Sequence, residues 1–418
     1  MARVLIIGSG GREHALTWKF LQSSSVSQIF VAPGNAGIAD IATLVPIDIL
    51  DFKALADFVI KNNIDLTFVG PEAPLVSGIV DYFNKLNLKI FGPTAKASML
   101  EGSKIFSKMM MKKYNIPTAK YESFDNYQEA YDYLIEQTAP IVIKADGLAS
   151  GKGVIIAHTM EEAKNVLINV MHNNLFQKAG NRIIIEEHLE GREFSLLAFV
   201  NKDKVYPMQI SQDYKRAFDD DRGFNTGGMG SYAPVTDLSN DIVDDAINHS
   251  MKVIAKAMLD EGTAFTGILY GGFMVTKDGV KTIEYNVRFG DPETEVLMIN
   301  LKSDLYEVIT NILDEKDVKL LWHNQVALGV VLASKGYPEE YKKGDIIKGI
   351  DEIDGIAFHM GTSAKDNDLT INGGRVLFIA NYGDDIKTVR DKVYQDIKKI
   401  KCDTLFYRQD IAVVEDHE

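Results

Sequence analysis

Three short apolar runs near the start of the chain, Val4–Ile7, Ile29–Ala32 and Leu66–Val69, each end in a glycine- or proline-bearing turn, and helix-length stretches separate them. This alternation constrains the fold more than any other feature. An antiparallel pair can be joined by a hairpin, whereas a parallel pair needs a crossover, so strands spaced by helices lie parallel. Residues 1–102 are therefore expected to form an open, doubly wound α/β domain, with a helix over Asp51–Asn62 and a further strand at Lys89–Phe91. Ligands of such a sheet bind beyond the carboxyl ends of its strands. The turns Gly8-Ser9-Gly10-Gly11, Pro33-Gly34-Asn35-Ala36-Gly37 and Gly70-Pro71-Glu72-Ala73-Pro74 all lie there and are expected to line one site.

A helix should start after Ser103 as N-cap and run to about Tyr114, where Ile116-Pro117 ends it. Strands at Ile141–Ile143 and Val154–Ala157 flank a loop containing Gly147, Gly151 and Gly153, which predicts a hairpin with a glycine-rich tip. Further strands are expected at Arg182–Glu187, Glu193–Val200, Thr266–Val275 and Val280–Val287, with a helix over Asp241–Leu259, giving an α+β region across 103–325. A strand-rich domain with a last helix near Lys387–Lys401 closes the chain over 326–418. The 45 basic against 59 acidic side chains, a net charge of −14, argue against a general nucleic-acid binder and leave small anions as ligands. One cysteine, Cys402, cannot form an internal disulfide, and no Cys/His spacing suits zinc. No apolar run approaches the ~18 residues of a membrane span. A cytoplasmic monomer with no membrane or nucleic-acid partner is expected.

Gly8-Ser9-Gly10 follows a strand and opens a helix, but the dinucleotide fingerprint fails where its third glycine should be, at Glu13, and the second strand ends without an acidic ribose ligand. A helix N-terminus suited to a phosphate or carboxylate survives, with Arg12 beside it; glycines serving only a tight turn are the competing reading. Gly147–Gly153 imitates a P-loop but is one residue short, lacks Ser/Thr after Lys152 and leads into a strand. It reads as a phosphate lid, or as an exposed turn, with Lys144 able to reach the same anion. Lys104 and Lys108, four apart, repel unless they share an anion, the alternative being a solvated basic face. Carboxylates in Glu186-Glu187-His188-Leu189 and at Glu193 could meet ribose hydroxyls or exocyclic amines, or simply water. In Ile283–Glu293, alternation puts Glu284, Asn286 and Arg288 on one face with Ile283, Tyr285 and Val287 packed behind. A carboxylate and an amide oxygen side by side suit Mg²⁺, which borrows its other ligands from phosphates and water, unless the strand is merely amphipathic. Arg216, Asn225 and the turn Thr226–Gly230, preceded by Asp213 and Lys215, add backbone amides able to approach a ligand.

Taken in order, Gly8–Ala15, Pro33–Gly37, Gly70–Glu72, Lys144–Gly153, Asn225–Gly230 and Glu284–Glu293 resemble the phosphoribosylamine–glycine ligase (glycinamide ribonucleotide synthetase) family of the ATP-grasp superfamily, over nearly the whole chain. The resemblance implies an N-terminal pre-ATP-grasp α/β domain, an ATP-grasp body with a small lid at about 120–190, and a strand-rich C-terminal domain. It also implies ATP-driven ligation of glycine to 5-phospho-β-D-ribosylamine through glycyl phosphate. A different ATP-grasp ligase or carboxylase, or a nucleotide-binding protein without turnover, are the alternatives. Carried over by position, Lys104, Lys144, Gly151, Lys152, Gly153, Arg216 and Asn225 would face the ATP phosphates. Glu186, Glu187 and Leu189 would meet adenine, and Glu193 ribose. Glu284 and Asn286 would hold Mg²⁺ or Mn²⁺. Gly10, Gly11, Arg12, Asn35, Pro71 and Glu72 would receive phosphoribosylamine, while Asp213, Arg288, Gly290, Asp291 and Glu293 would serve glycine or the ribosyl group. Arg288, Lys144 and Asp213 are the catalytic candidates.

Overall fold

The opening alternation produces a five-stranded parallel sheet in the computed structural model, which describes residues 1–148, 153–173, 175–176, 180–366 and 368–413. Its strands run in the order Thr43–Leu44, Val26–Pro33, Ala2–Gly8, Leu66–Val69, Ile90–Phe91. The first strand is central, and the chain winds away from it on both sides, with Ile7 paired to Ala32 on one flank and Val69 on the other. The Gly8 turn thus sits at the point where strand order reverses, the usual ligand crevice of such sheets. Val4, Leu5, Ile6 and Ile7 are wholly buried, as a central parallel strand covered on both faces requires.

The central segment builds two four-stranded antiparallel sheets. In the smaller, Tyr121–Phe124, Ile183–Glu187, Ile141–Ala145 and Val154–Ala157 pack under helices Tyr127–Leu134 and Met160–Met171 around a separate core that includes Leu134, Ile143, Leu167 and Ile185. Ile141–Ala145 and Val154–Ala157 pair as the expected hairpin, while Gly151 and Lys152 of its tip lie outside the described residues. The larger sheet orders Lys204–Pro207, Arg192–Asn201, Thr266–Thr276 and Gly279–Asn286.

One expectation for that last strand is corrected. Glu284 pairs with Gly272 but Thr282 with Phe273, so Ile283 is the extra residue of a β-bulge. The bulge shifts the phase of alternation, and Thr282, not Ile283, joins Tyr285 on the buried side, where the Ser250 hydroxyl lies 2.8 Å from Thr282 Oγ1 and 2.5 Å from Tyr285 Oη. Ile283 is only half-buried.

A six-stranded sheet draws on two parts of the chain: Gln212–Asp213 and Gly230–Ala233 from the centre pair onward to Val326–Ser334, Arg375–Gly383 and Ile356–His359, with Leu405–Phe406 also on Val326–Ser334 and helix Ile386–Ile397 packed across. Among the described residues, no helix is long and apolar enough to cross a membrane.

Candidate active site

The three N-terminal turns converge as expected. Gly10, Arg12, Pro71 and Asp291, with Asp48 and Ile49, line a cavity of about 330 Å³. Glu13, the residue that breaks the dinucleotide fingerprint, organises this corner: its carboxylate accepts the Gly10 N–H at 2.6 Å and the Arg12 Nε at 2.7 Å. A Cβ on Gly70 would stand 2.0 Å from Glu13 Oε1, so the third turn must be glycine for Glu13 to fit. Arg12 also donates to the Phe289 carbonyl at 2.8 Å, tying the N-terminal helix to the Asn286–Asp291 stretch. Gly11 is buried, and a Cβ there would meet Glu295 Oε1 at 2.5 Å. Asn35 stands apart from the cavity lining: it caps the Ala36–Ala39 helix through the Ile38 N–H and donates to the carbonyls of Ser9 and His359 at 2.8 and 2.7 Å.

Arg288 lies between two carboxylates, Nη2 3.1 Å from Glu101 and Nε 3.5 Å from Glu72. Glu101 also accepts the Val287 N–H at 2.8 Å. Burial pushes the Glu101 carboxyl up against the pull of Arg288; at Glu72 the same burial is outweighed by Arg288 and Arg12, and its carboxyl drops. Asp291 faces Arg375 of the C-terminal sheet, an ion pair at 3.0 Å whose alignment falls short of a hydrogen bond. A Cβ on Gly290 would stand 2.3 Å from Glu293 Oε2, so the chain turns closely over Glu293. Glu293 Oε1 lies 3.4 Å from the Ser195 hydroxyl, which also contacts Tyr270 Oη at 2.8 Å. Asp213 is buried beside them. Burial, opposed by Lys215 and reinforced by Glu293 and Glu193, raises its carboxyl to about 7.

On the larger sheet, Ser195, Gly272 and Glu284 pair directly across three strands, as do Leu197, Tyr270 and Asn286, while Glu193 pairs with Met274. Paired residues share a face, so Glu193, Glu284 and Asn286 stand over one floor, which Gly272 leaves free of a side chain. Burial alone would raise the Glu284 carboxyl, but Lys215, Lys144, Lys104 and Arg288 together bring it below its ordinary value. A half-buried carboxylate and amide oxygen on neighbouring same-face positions, kept anionic by surrounding cations, form a donor set that fits a hard divalent ion completed by phosphates and water.

Glu186 bridges Lys144 at 3.0 Å and Lys108 at 3.2 Å, so among the described residues the pair Lys104 and Lys108 shares no protein anion, and Lys108 shares one with Lys144. Lys104 turns instead to the Gly147 carbonyl at 3.2 Å. Glu187 accepts the Lys120 N–H and pairs with Lys281, and Leu189 follows, half-buried, just beyond that strand. Gly153 accepts the Ala145 N–H at the base of the hairpin. Arg216 and Asn225 pair in a separate two-stranded hairpin, where the Arg216 guanidinium donates to the Gly223 carbonyl. The amides of Thr226, Gly227, Gly228 and Met229, expected to approach a ligand, all find protein acceptors instead. Sequence reasoning gave no site role to Glu101 or Arg375, which carry no local motif, and treated Lys215 only as a neighbour of Asp213.

Three family models cover the chain: the N domain of phosphoribosylglycinamide synthetase matches residues 2–101, its ATP-grasp (A) domain 102–294 and its C domain 327–414. The chain belongs to the phosphoribosylglycinamide synthetase family. Among relatives, phosphoribosylamine–glycine ligase of Halalkalibacterium halodurans is 50% identical over 98% of this chain and 96% of its own length, and that of Lactococcus lactis is 47% identical over 98% and 99%. The crystal structure of the Thermotoga maritima phosphoribosylamine–glycine ligase superposes with a TM-score of 0.86 at 33% identity, covering 98% of this chain and 99% of that one. Within this family frame, the floor carrying Glu284 and Asn286 belongs to the ATP-grasp part and the glycine-turn cavity to the N domain, and Arg288 and Asp291 join the two.

Proposed function

We propose that this chain joins glycine to 5-phospho-β-D-ribosylamine, with ATP converted to ADP and phosphate, to form glycinamide ribonucleotide in purine biosynthesis. The observation that carries this is the meeting of two sites at one hinge of sequence: the floor of Glu284 and Asn286, ringed by lysines, continues through Arg288 and Asp291 into the cavity of the glycine turns. Glycine's carboxylate is a poor electrophile. A carboxylate oxygen therefore attacks the γ-phosphorus of ATP, ADP leaves, and the sugar amine displaces phosphate from the resulting glycyl phosphate. Such transfer depends on positioning and charge stabilisation rather than on a side-chain nucleophile.

Glu284 and Asn286 would hold Mg²⁺ or Mn²⁺, which supplies charge neutralisation of the phosphates when bound. Lys104 and Lys144 neutralise the polyphosphate, with Gly151, Lys152 and Gly153 also assigned to ATP and Arg216 and Asn225 at its edge. Glu186, Glu187 and Leu189 receive adenine and Glu193 the ribose. Arg12, Gly10, Gly11, Asn35, Pro71 and Glu72 shape the phosphoribosylamine site. Arg288, Gly290, Asp291, Glu293 and Asp213 orient glycine and the incoming amine. The domains run 1–102, 103–325 with a lid at about 120–190, and 326–418, the central part lending two strands to the last sheet. The enzyme works as a cytoplasmic monomer. ADP formation, measured with phosphoribosylamine generated in situ, should require both that amine and glycine. ADP release without glycine would assign a different ATP-grasp reaction, and nucleotide binding without phosphate release would assign a protein that does not turn over.

A further inference from the structure

Resting on the ligase activity above, we propose that Lys215 is a catalytic residue whose ammonium grips the phosphoryl group as it passes from ATP to glycine. The segment Asp213–Arg216 links the strand Gln212–Asp213 to the hairpin strand that starts at Arg216, and the two neighbouring cations diverge: Arg216 turns into the hairpin toward Gly223, while Lys215 turns to the floor of the larger sheet. Its backbone is held firmly, because the Lys215 carbonyl accepts both the Thr226 N–H at 2.7 Å and the Thr226 hydroxyl at 2.9 Å. The turn that follows thus begins by fixing Lys215 through Thr226, and its Met229 N–H holds the neighbouring Tyr214 carbonyl at 2.7 Å.

The ammonium ends 2.6 Å from Glu193 Oε2. Glu193 and Glu284 stand on one face of the sheet, on the two strands flanking Thr266–Thr276, with the bare Gly272 beside Glu284. Lys215 therefore meets the floor at the carboxylate placed for ribose, on the same face as the one placed for the metal and near enough for its charge to act on both. Its charge weighs on Glu284 more than those of Lys144, Lys104 or Arg288. Burial disfavours that charge, yet Glu193, Asp213 and Glu284 hold the ammonium well above its usual value, so it stays cationic through any working pH. A lysine carries three N–H donors. One is directed to Glu193, which leaves two for phosphoryl oxygens.

In the step it serves, a glycine carboxylate oxygen forms a bond to the γ-phosphorus. The bond from that phosphorus to the β–γ bridging oxygen breaks, and the bridging oxygen keeps the electron pair and leaves with ADP. No proton moves, and the charge on the three equatorial oxygens is what a fixed ammonium stabilises.

The competing role is neutralisation of the Glu193–Asp213–Glu284 cluster, and the two roles separate in kinetics. Wild-type protein must first show glycine-dependent ADP formation; its absence would defeat the ligase assignment and not the role of Lys215. In Lys215→Met, kcat should then fall about 10²- to 10³-fold, the loss typical of one transition-state donor, while the Kd for ADP, measured by titration calorimetry, stays within about threefold. In Lys215→Arg, which keeps the charge and the pairing that folding needs, kcat should still fall about tenfold, because a guanidinium does not replace a point charge. The proposal is overturned if Lys215→Arg retains wild-type kcat, or if folded Lys215→Met loses ADP affinity as steeply as turnover.

Discussion

Replacing Glu101 by alanine tests how the site holds its central arginine. The Glu101 side chain is 8% exposed and that of Arg288 19%, so their 3.1 Å contact lies in a poorly solvated place. The alanine variant removes this partner and also strands the Val287 N–H, which Glu101 accepts at 2.8 Å. Breaking one side of a buried ion pair costs roughly 3 to 5 kcal/mol, and orphaning a buried donor roughly 1 to 3. Arg288 keeps a second carboxylate, Glu72, at 3.5 Å, which places the total near the low end, about 3 kcal/mol of stability. Function should suffer separately. An arginine free to swing by about 1 Å forfeits on the order of 10²-fold in rate. Glu101→Gln keeps an acceptor for Val287 and should recover most of the stability while leaving Arg288 one charge poorer. Urea unfolding and glycine-dependent ADP formation, measured on both variants, separate these effects. Wild-type stability together with wild-type kcat/KM in Glu101→Ala would refute the claim that Glu101 positions Arg288.

Glu284→Ala should lower turnover by about 10³-fold while the protein still folds, with a lowered unfolding midpoint because the surrounding cations lose the carboxylate they hold ionised; unchanged turnover across a Mg²⁺ titration would remove Glu284 from the metal site. Gly70→Ala pushes a methyl into Glu13 and should raise KM for phosphoribosylamine about tenfold, about 1.4 kcal/mol, while KM for ATP holds; a shift in both would place the damage elsewhere. Asp213 binds a proton in the folded state up to about pH 7, where the unfolded carboxyl, with its ordinary value of 3.8, has lost it. Its stabilising share is thus complete below 3.8 and disappears as pH rises through about 7. Urea midpoints of Asp213→Asn should therefore lose this decline between pH 5 and 8, and curves parallel to wild type would contradict the burial-raised carboxyl.

The legible parts of this chain were those where chemistry is local. The parallel sheet followed from strand-helix alternation, the Ser103 cap from a side chain that does accept the Phe106 N–H, and the hairpin before Val154 from glycines between two apolar runs. Ile283 escaped because a bulge is set by the partner strand: nothing in its own neighbours reveals that Gly272 and Phe273 face Glu284 and Thr282. The turn at Thr226–Gly230 escaped for a related reason. A glycine-rich run reports freedom of approach but not what approaches, and here a Cβ on Gly228 would strike Pro292 at 2.4 Å and one on Gly227 the Arg375 guanidinium at 2.8 Å.

Counter-ions were the least legible feature, and their arrangement has a consequence for how the site works. Among the described residues, four cations expected to meet substrate have oxygen partners in place: Arg288 has Glu72 and Glu101, Lys144 has Glu186, Lys104 has the Gly147 carbonyl, and Arg12 has Glu13. Each partner comes from a distant stretch of chain or lies on the same helix with no motif to mark it. Without such partners, a cluster of half-buried like charges would repel strongly in a low-dielectric pocket. With them, the cations stand ready in fixed positions before ATP arrives, and an arriving phosphate adds to an ordered array instead of organising a loose one, which is the condition for electrostatic stabilisation of a transferring group without reorganisation during the reaction.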